Sequence, residues 1–477
     1  MEPAGNSMGD ERDMISSLPD CLIHLIMSFL TAQQAVRTCV LSKRWKNLWT
    51  TLPFLNFDQL NFEYDDESDD SELEFDDTQR YKINKFREFV NTALLLREAS
   101  NLHKFHISCH PGLGLAEYGM FMRSWILYAL KHNPQELHIY FMFDGSVPLS
   151  CIFSCSSLVD ASLNFPLCVK NINTINLPCL RRLHLMWIVL YQEFFEKLFC
   201  GCPVLEFLHL EDCYRKYSII NSQSLKYLKV ENHDSFLQEK ESIVFKLFRV
   251  PECVIKMINT PNLLSFCYTD WVDFFGHKML LKMPSLTSAN IHITCPLYKL
   301  KNWSYKGKSN ILMGLPDVQN LKLSGSRIKD FLESELPNYP VFSNLKYLSV
   351  DGLCLSCHFN LLASFLNHCL NLEKLSLLRV NCHCEEVLYN NRESLNIAPF
   401  KGKQLRTVEV EVCGSDKDTP QIMKYLHNIT EESSSQIKMT DATDLLGWLF
   451  QELDVSSSSS TGEDTASNSD DLRQLVH

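Results

Sequence analysis

The stretch that decides the fold lies near the N-terminus, where residues 13–49 read DMISSLPDCLIHLIMSFLTAQQAVRTCVLSKRWKNLW. Apolar residues recur there at helical spacing, first from Leu18 to Leu30 and again from Trp45 to Leu52. The pattern predicts three short helices joined by brief connections. A segment of roughly forty residues is too small to bury this much apolar surface by itself. Either the rest of the chain or a partner must therefore cover part of it.

The order of three motifs in this stretch, LPD, then SFL, then AVRTCVLSKRWKNLW, resembles the F-box of plant F-box proteins. In that family the helices bind the Skp adaptor of an SCF-type cullin–RING ubiquitin ligase. The resemblance therefore implies a Skp-type adaptor as a partner and, through it, a cullin. The run Thr31 to Gln34 departs from the family's usual helix connection. Leu18 and Pro19 match the family's adaptor-binding Leu-Pro by position, and the other matched residues stand at its apolar contact or helix-packing positions. The implied adaptor-binding residues are thus Leu18, Pro19, Leu22, Ile26, Leu30, Val40, Leu41 and Trp45.

A second regularity fills the middle of the chain, where a six-residue unit with apolar residues at its first, fourth and sixth positions recurs. We call the first apolar residue of each unit its anchor. The fourth and sixth residues share one face of a strand, and a strand followed by a returning segment, repeated, predicts leucine-rich repeats. Coincidental runs in an ordinary α/β domain are the alternative. The anchors are Leu102, Pro134, Leu158, Leu180, Leu205, Leu225, Leu263, Leu286, Val318, Leu345, Leu372 and Leu405.

The predicted fold is α/β, with an N-terminal three-helix F-box followed by an irregular leucine-rich-repeat solenoid of short parallel strands and helical or irregular returns. Irregularity is expected because the anchor spacing is uneven, and because the Asn or Cys expected eight residues after an anchor occurs only as Cys213 and Cys413. Phrases such as GCPVLEFLHLEDC also resemble plant F-box/leucine-rich-repeat proteins. The predicted divisions are a disordered lead (1–12), the F-box (13–58), an acidic linker (59–80), the solenoid (81–415), an FBD-like segment (400–450) and a disordered, acidic, serine-rich tail (454–477).

The net charge of −12 has a local origin. Of the 57 acidic residues, 10 lie in residues 63–77 and 6 in residues 452–471, which leaves 41 acids against 45 bases elsewhere. No basic domain remains, so we predict no nucleic-acid partner. An apolar run of about 18 residues is also absent, so we predict no membrane partner. The polar N-terminus is not a secretory signal, and the 19 cysteines are predicted to be thiols in an intracellular compartment, nucleus and/or cytoplasm.

No catalytic or cofactor motif emerges from the sequence: P-loop, dinucleotide-binding, HExxH and GxSxG patterns are all absent. We therefore predict a non-catalytic protein without a cofactor. One set of residues has the spacing of zinc ligands, although cysteines that simply pack at strand ends would give the same pattern. It comprises Cys354, Cys357, His358, Cys382, His383 and Cys384.

The strand residues between the buried ones point to the opposite face of the predicted sheet, where they form a mixed aromatic and charged surface. The chain is thus predicted to be a substrate-recognition subunit whose F-box binds the adaptor and whose repeats bind an unidentified target protein. The alternative is a repeat scaffold or ligand sensor that acts without a ligase, its helical segment serving only as a structural cap. The predicted target-facing residues are Arg182, His184, Phe207, His209, Glu211, Tyr227, Lys229, Tyr347 and Asp351.

Overall fold

A computed structural model describes most of the repeats and the predicted F-box. The chain forms two compact units, the first made of residues 1–320 and 330–340 and the second of residues 321–329 and 341–477. Among the helices described, none combines the length and the apolar character needed to cross a bilayer. The described residues are 18–62, 75–109, 118–141, 149–169, 172–232, 255–271, 278–294, 310–336, 339–353, 355–380, 404–412 and 436–441.

The predicted F-box folds as three short helices around a core of its own. They are α1 (Asp20–Met27), α2 (Ala32–Arg37) and α3 (Trp45–Leu48), and single 3-10 turns extend α2 and α3. The run TAQQ starts α2: the Gln34 amide donates to Thr31 Oγ1 at 3.3 Å, and the Thr31 amide donates to Gln34 Oε1 at 3.0 Å. This reciprocal pair satisfies two amides that a helix start leaves unpaired. The core consists of Ile23, Met27, Ala35, Trp45, Leu48 and Leu52.

Parallel strands make up most of the remaining first unit. In one sheet the spatial order is β1-β2-β3-β4-β5-β6-β9-β11-β13, with β7 beside β5, and β12-β10-β8 form a second sheet. The strands are β1 (Phe54–Asp58), β2 (Lys104–Cys109), β3 (Glu136–Phe141), β4 (Asp160–Val169), β5 (Arg182–Tyr191), β6 (Phe207–Glu211), β7 (Tyr214–Lys216), β8 (Ile219–Asn221), β9 (Tyr227–Glu231), β10 (Met257–Asn259), β11 (Ser265–Trp271), β12 (Leu280–Lys282) and β13 (Ser288–Thr294).

Amphipathic helices and short irregular segments return the chain from one strand to the next. In the longest of them, α4, buried residues from Ile83 to Leu94 fall at helical spacing, so one face packs and the other is exposed. The return helices are α4 (Phe75–Leu96), α5 (Tyr118–Lys131), α6 (Leu149–Ile152), α7 (Gln192–Gly201), α8 (Ile328–Glu335) and α9 (Leu355–Leu366).

The second unit has the same construction. Its strands are adjacent in chain order, and the three pairs from β15 to β18 are parallel. The anchors Leu345, Leu372 and Leu405 are all buried within it. The strands are β14 (Asn320–Ser324), β15 (Tyr347–Asp351), β16 (Lys374–Val380), β17 (Thr407–Val412) and β18 (Gln436–Asp441).

The predicted α/β fold with leucine-rich-repeat strands is confirmed. Every one of the twelve anchors is buried, and a strand begins two residues after each of them. The buried Cys213 thiol also occupies the expected repeat position, and it donates to the Leu185 carbonyl of the preceding repeat at 3.2 Å. All twelve units are therefore built in the same way, with a buried anchor and a strand that begins two residues later.

Two elements lie at the predicted boundaries. Residues 54–58, at the end of the predicted F-box, form β1 and pair in parallel with β2. Helix α4 begins at Phe75, within the range predicted as the linker. Strand β18 lies in the segment predicted to be FBD-like. The predicted lead, the tail, most of the acidic linker and most of the FBD-like segment lie outside the described residues.

Candidate protein-interaction site

Helix α1 is apolar on two sides. One side, with Ile23 and Met27, packs into the core of the N-terminal domain. The other side is exposed, and Phe29 beyond its last turn is 82% accessible. A helix that is apolar all round is normally buried on all sides, so the exposed side of α1 is suited to a protein partner. We use the name apolar face for the exposed apolar residues of α1 and of the segments that follow α1 and α2: Leu22, Leu25, Ile26, Phe29, Val40 and Leu41.

The structure sorts the predicted adaptor-binding residues into three groups. Leu22, Ile26, Val40 and Leu41 lie on the apolar face, and Pro19 is exposed beside it. Leu18 and Leu30 are half-buried against the core. Trp45 is only 3% exposed, so its indole cannot be a free contact surface, and we correct its role to core packing. Sequence reasoning missed Leu25 and Phe29, although both continue the helical spacing of Leu22 and Ile26.

An ion pair joins the start of α1 to the turn before α3. The Arg44 guanidinium donates to Asp20 Oδ1, with a distance of 3.1 Å from Nε. Nearby, Thr51 Oγ1 lies 3.2 Å from His24 Nε2. These partners are largely exposed, so each contributes little to stability. Their effect is to fix the direction of α1, and with it the presentation of the apolar face.

The predicted F-box, with helices α1 to α3, is joined directly to the first repeat. The Arg97 guanidinium, which is buried, donates to the carbonyl oxygens of Leu52, Ala99 and Asn101. The Pro53 carbonyl accepts hydrogen bonds from the amides of His103 and Lys104. Because Leu52 also belongs to the core of the helical domain, this junction holds the domain and the first strands in one arrangement.

The predicted target-facing residues divide by exposure. Arg182, Tyr227 and Tyr347 are exposed, whereas His184, Phe207, Glu211 and Lys229 are half-buried. His209 and Asp351 are buried, which corrects the prediction that they are open to a target. His209 is covered because its ring stacks on that of His184, with centroids 4.1 Å apart, and because its Nε2 is bonded to Glu231. Seven of the nine residues lie in the first unit, and Tyr347 and Asp351 lie in the second.

The cysteines that the structure describes in full are free thiols. Burial raises the pKa of the Cys202 and Cys213 thiols to about 12, which is the behaviour of packing residues and not of nucleophiles. The zinc-like pattern around Cys354 and Cys382 falls largely outside the described residues, so it stays untested.

Comparison with known proteins divides the chain in the same way, into an N-terminal helical segment and the repeats that follow it. The family model for the F-box domain matches residues 15–57. A second model, described as "FBD-associated F-box protein At5g56370, LRR repeats", matches residues 122–269. The chain carries an F-box followed by leucine-rich repeats. The F-box match spans the apolar face, and the second match runs from within α5 into β11.

Similar proteins from Arabidopsis thaliana cover most of the chain. A putative F-box/FBD/LRR-repeat protein is 27% identical over 387 residues, which is 79% of this chain and 77% of that protein. A putative F-box/LRR-repeat protein is 29% identical over 378 residues, 76% of this chain and 64% of that protein. An F-box/LRR-repeat protein is 27% identical over 364 residues, 72% of this chain and 86% of that protein.

Proposed function

We propose that this chain is the substrate-recognition subunit of an SCF-type ubiquitin ligase, acting inside the cell. Its F-box binds a Skp-type adaptor, which connects it to a cullin, and its repeat strands bind a target protein. The chain itself makes and breaks no bonds. It contributes proximity, because a tethered target lysine reaches a high effective concentration near the ligase's charged conjugating enzyme.

The observation that carries this proposal is the apolar face. Val40 is 83% exposed and Leu41 60% exposed, on a domain whose core is already complete without them. Burying one such side chain against a partner is worth about 1.5–3 kcal/mol. Six of them form a contact that is strong enough to hold a partner and costly to leave in water.

The alternative, a scaffold whose helical segment is only a structural cap, fits part of the structure. The Arg97 junction shows that the F-box packs on the first repeat, as a cap would. A cap, however, turns its apolar residues inward and its polar residues to solvent. The F-box keeps an apolar face away from its own core, so a second protein accounts for it better than a cap does.

The face of the sheet opposite the buried strand residues, which we call the strand face, has a composition that suits protein recognition. In the first unit, aromatic side chains such as Phe207 and Tyr227 lie on neighbouring strands. Charged side chains such as Arg182 and Lys229 lie beside them, and mixed aromatic and charged composition is typical of protein interfaces.

The test is assembly of the full chain with a Skp-type adaptor and a cullin, followed by size-exclusion chromatography. The unmodified chain is expected to co-elute with both proteins. Val40→Asp places a charge in the apolar face and should remove the complex, while circular dichroism stays unchanged because residue 40 does not pack in the core.

Leu95→Asp is the matched control, because Leu95 is also 83% exposed but lies on α4, outside the apolar face. This variant should assemble like the unmodified chain. Equal assembly by the Val40→Asp variant would show that the apolar face does not bind the adaptor. Failure of the unmodified chain to assemble would favour the scaffold function.

A further inference from the structure

Four ligand-type side chains meet on the strand face of the first unit. Parallel pairing sets His184 of β5 opposite His209 of β6, and it sets Glu211 of β6 opposite Glu231 of β9. All four point to the same side of the sheet, because they occupy alternate positions along their strands. The register of three consecutive repeats therefore concentrates two imidazoles and two carboxylates at one place.

Within this cluster the imidazole nitrogens lie close to the carboxylate oxygens. His184 Nε2 lies 2.9 Å from Glu211 Oε2, and His209 Nε2 lies 3.7 Å from the same oxygen. His209 Nε2 also lies 2.9 Å from Glu231 Oε2. The imidazole rings are stacked with an angle of 7° between their planes, and each Nε2 lies 2.9 Å from a carboxylate oxygen.

The printed separations of 2.9 and 3.7 Å lie on either side of the spacing between neighbouring ligands of a tetrahedral metal centre. With zinc–nitrogen and zinc–oxygen bonds of about 2.0–2.1 Å, neighbouring ligand atoms lie roughly 3.3 Å apart. One ligand atom from each of His184, His209 and Glu211 falls within 4.8 Å of the other two. Two histidines and one glutamate form a known donor set for zinc.

Surrounding groups hold the ligands in place. Ser162 Oγ lies 3.2 Å from His184 Nδ1 and orients that ring so that Nε2 points to the carboxylates. Lys229 Nζ lies 2.6 Å from Glu231 Oε2 and fixes that carboxylate beside His209.

We propose that His184, His209 and Glu211 form a binding site for a divalent transition metal of the zinc class. Glu231 lies beside His209 Nε2, where a side-chain rotation makes it the fourth ligand. The His184 side chain is 27% exposed and Glu211 22% exposed, so the metal can enter from solvent. A bound ion cross-links adjacent repeats at the centre of the surface that the proposed function assigns to the target.

The test is titration of the full chain, first stripped with a chelator, with Co²⁺ as a spectroscopic substitute for Zn²⁺. The unmodified chain should bind one more equivalent than its Glu211→Gln and His209→Gln variants, or bind it at least 10-fold more tightly. The difference spectrum should show visible tetrahedral bands without thiolate charge transfer, because no cysteine is a ligand. Zn²⁺ should raise the Tm of the unmodified chain and not that of the variants.

His138→Gln is the matched control, because His138 occupies the same row of the strand face on β3. It should retain the metal. Equal Co²⁺ binding by the unmodified chain and the Glu211→Gln variant would overturn the proposal, as would a spectrum that thiolate ligation explains entirely. Should His209→Gln fail to fold by circular dichroism, His184→Gln and Glu211→Gln decide the question. Adaptor assembly is a separate readout, so loss of metal binding leaves the ligase proposal intact.

Discussion

At the scale of single residues, Arg215 on β7 and Asp270 on β11 form a buried pair of opposite charges. Their side chains are 1% and 0% exposed. Asp270 accepts hydrogen bonds from Arg215 Nη2 at 3.1 Å, from Asn232 Nδ2 at 3.0 Å and from Tyr268 Oη at 2.7 Å. Burial, and then the Asp270 charge, raise the pKa of Tyr268 well above its ordinary value, so its hydroxyl stays a donor. This network ties non-adjacent strands together.

Removing one member of the network should destabilise the folded chain. Asp270→Ala leaves the Arg215 charge buried without its carboxylate, and we expect it to lower the free energy of unfolding by about 3–5 kcal/mol. Urea unfolding followed by circular dichroism measures the change. Glu206→Ala, which removes an exposed pair with Lys226, is the control and should have a far smaller effect. Equal midpoints for the two variants would contradict a stabilising role for the buried pair.

At the scale of elements, neighbouring strands β2 and β3 place His106 opposite His138. Burial is the largest cause of a lowered pKa in both rings. His106 also faces Asp58, Lys104 and His138. His138 faces the charges of Asp160, Lys104, Glu136 and Arg182, and the carboxylates only partly offset its burial.

This pair predicts a dependence of stability on pH. Because the folded pKa values lie below the unfolded value of about 6.5, the unfolded chain binds more protons as the pH falls below that value. The stabilisation is present above about pH 6.5 and is lost toward the folded pKa values. We expect the urea midpoint of the unmodified chain to fall more between about pH 7.5 and 5.5 than that of a His106→Gln, His138→Gln double variant. Parallel losses in the two proteins would refute the assignment.

The elements also show how far the sequence alone can go. The spacing of apolar residues predicted the strand in each six-residue unit, because the fourth and sixth residues of the unit are buried on one face of that strand. It missed β1, since Leu52 continues the helical spacing of Trp45 and Leu48 and was assigned to the helix. In fact Leu52, Leu55 and Phe57 form the same unit, and all three are buried. Strands β7, β8, β10 and β12 are only three residues long, so alternation cannot reveal them.

The candidate sites were predictable to different degrees. Motif resemblance identified most of the apolar face, but only burial separates Trp45 from its exposed neighbours. The cluster of His184, His209 and Glu211 depends on strand register, which brings residues from separate repeats within bonding distance. The sequence placed each of them on the strand face without showing that they meet.

At the scale of the whole molecule, the acidic excess and the apolar face lie in different segments of the chain. The acidic excess lies in residues 63–77 and 452–471, and the apolar face lies on the F-box. The Arg97 junction and the pairing of β1 with β2 place the F-box and the first repeats in one compact unit. An adaptor bound to the apolar face would therefore be held in a defined position relative to the first strands.

The central claim is that this apolar face binds the adaptor, and calorimetric titration of a Skp-type adaptor into the full chain tests it most directly. Phe29→Asp is the decisive variant, because Phe29 is 82% exposed and was not among the predicted adaptor-binding residues. Leu60→Asp, at a 71% exposed leucine after β1, is the control. The account predicts at least a tenfold weaker affinity for Phe29→Asp and an unchanged affinity for Leu60→Asp. Equal affinities for the unmodified chain and both variants would contradict it.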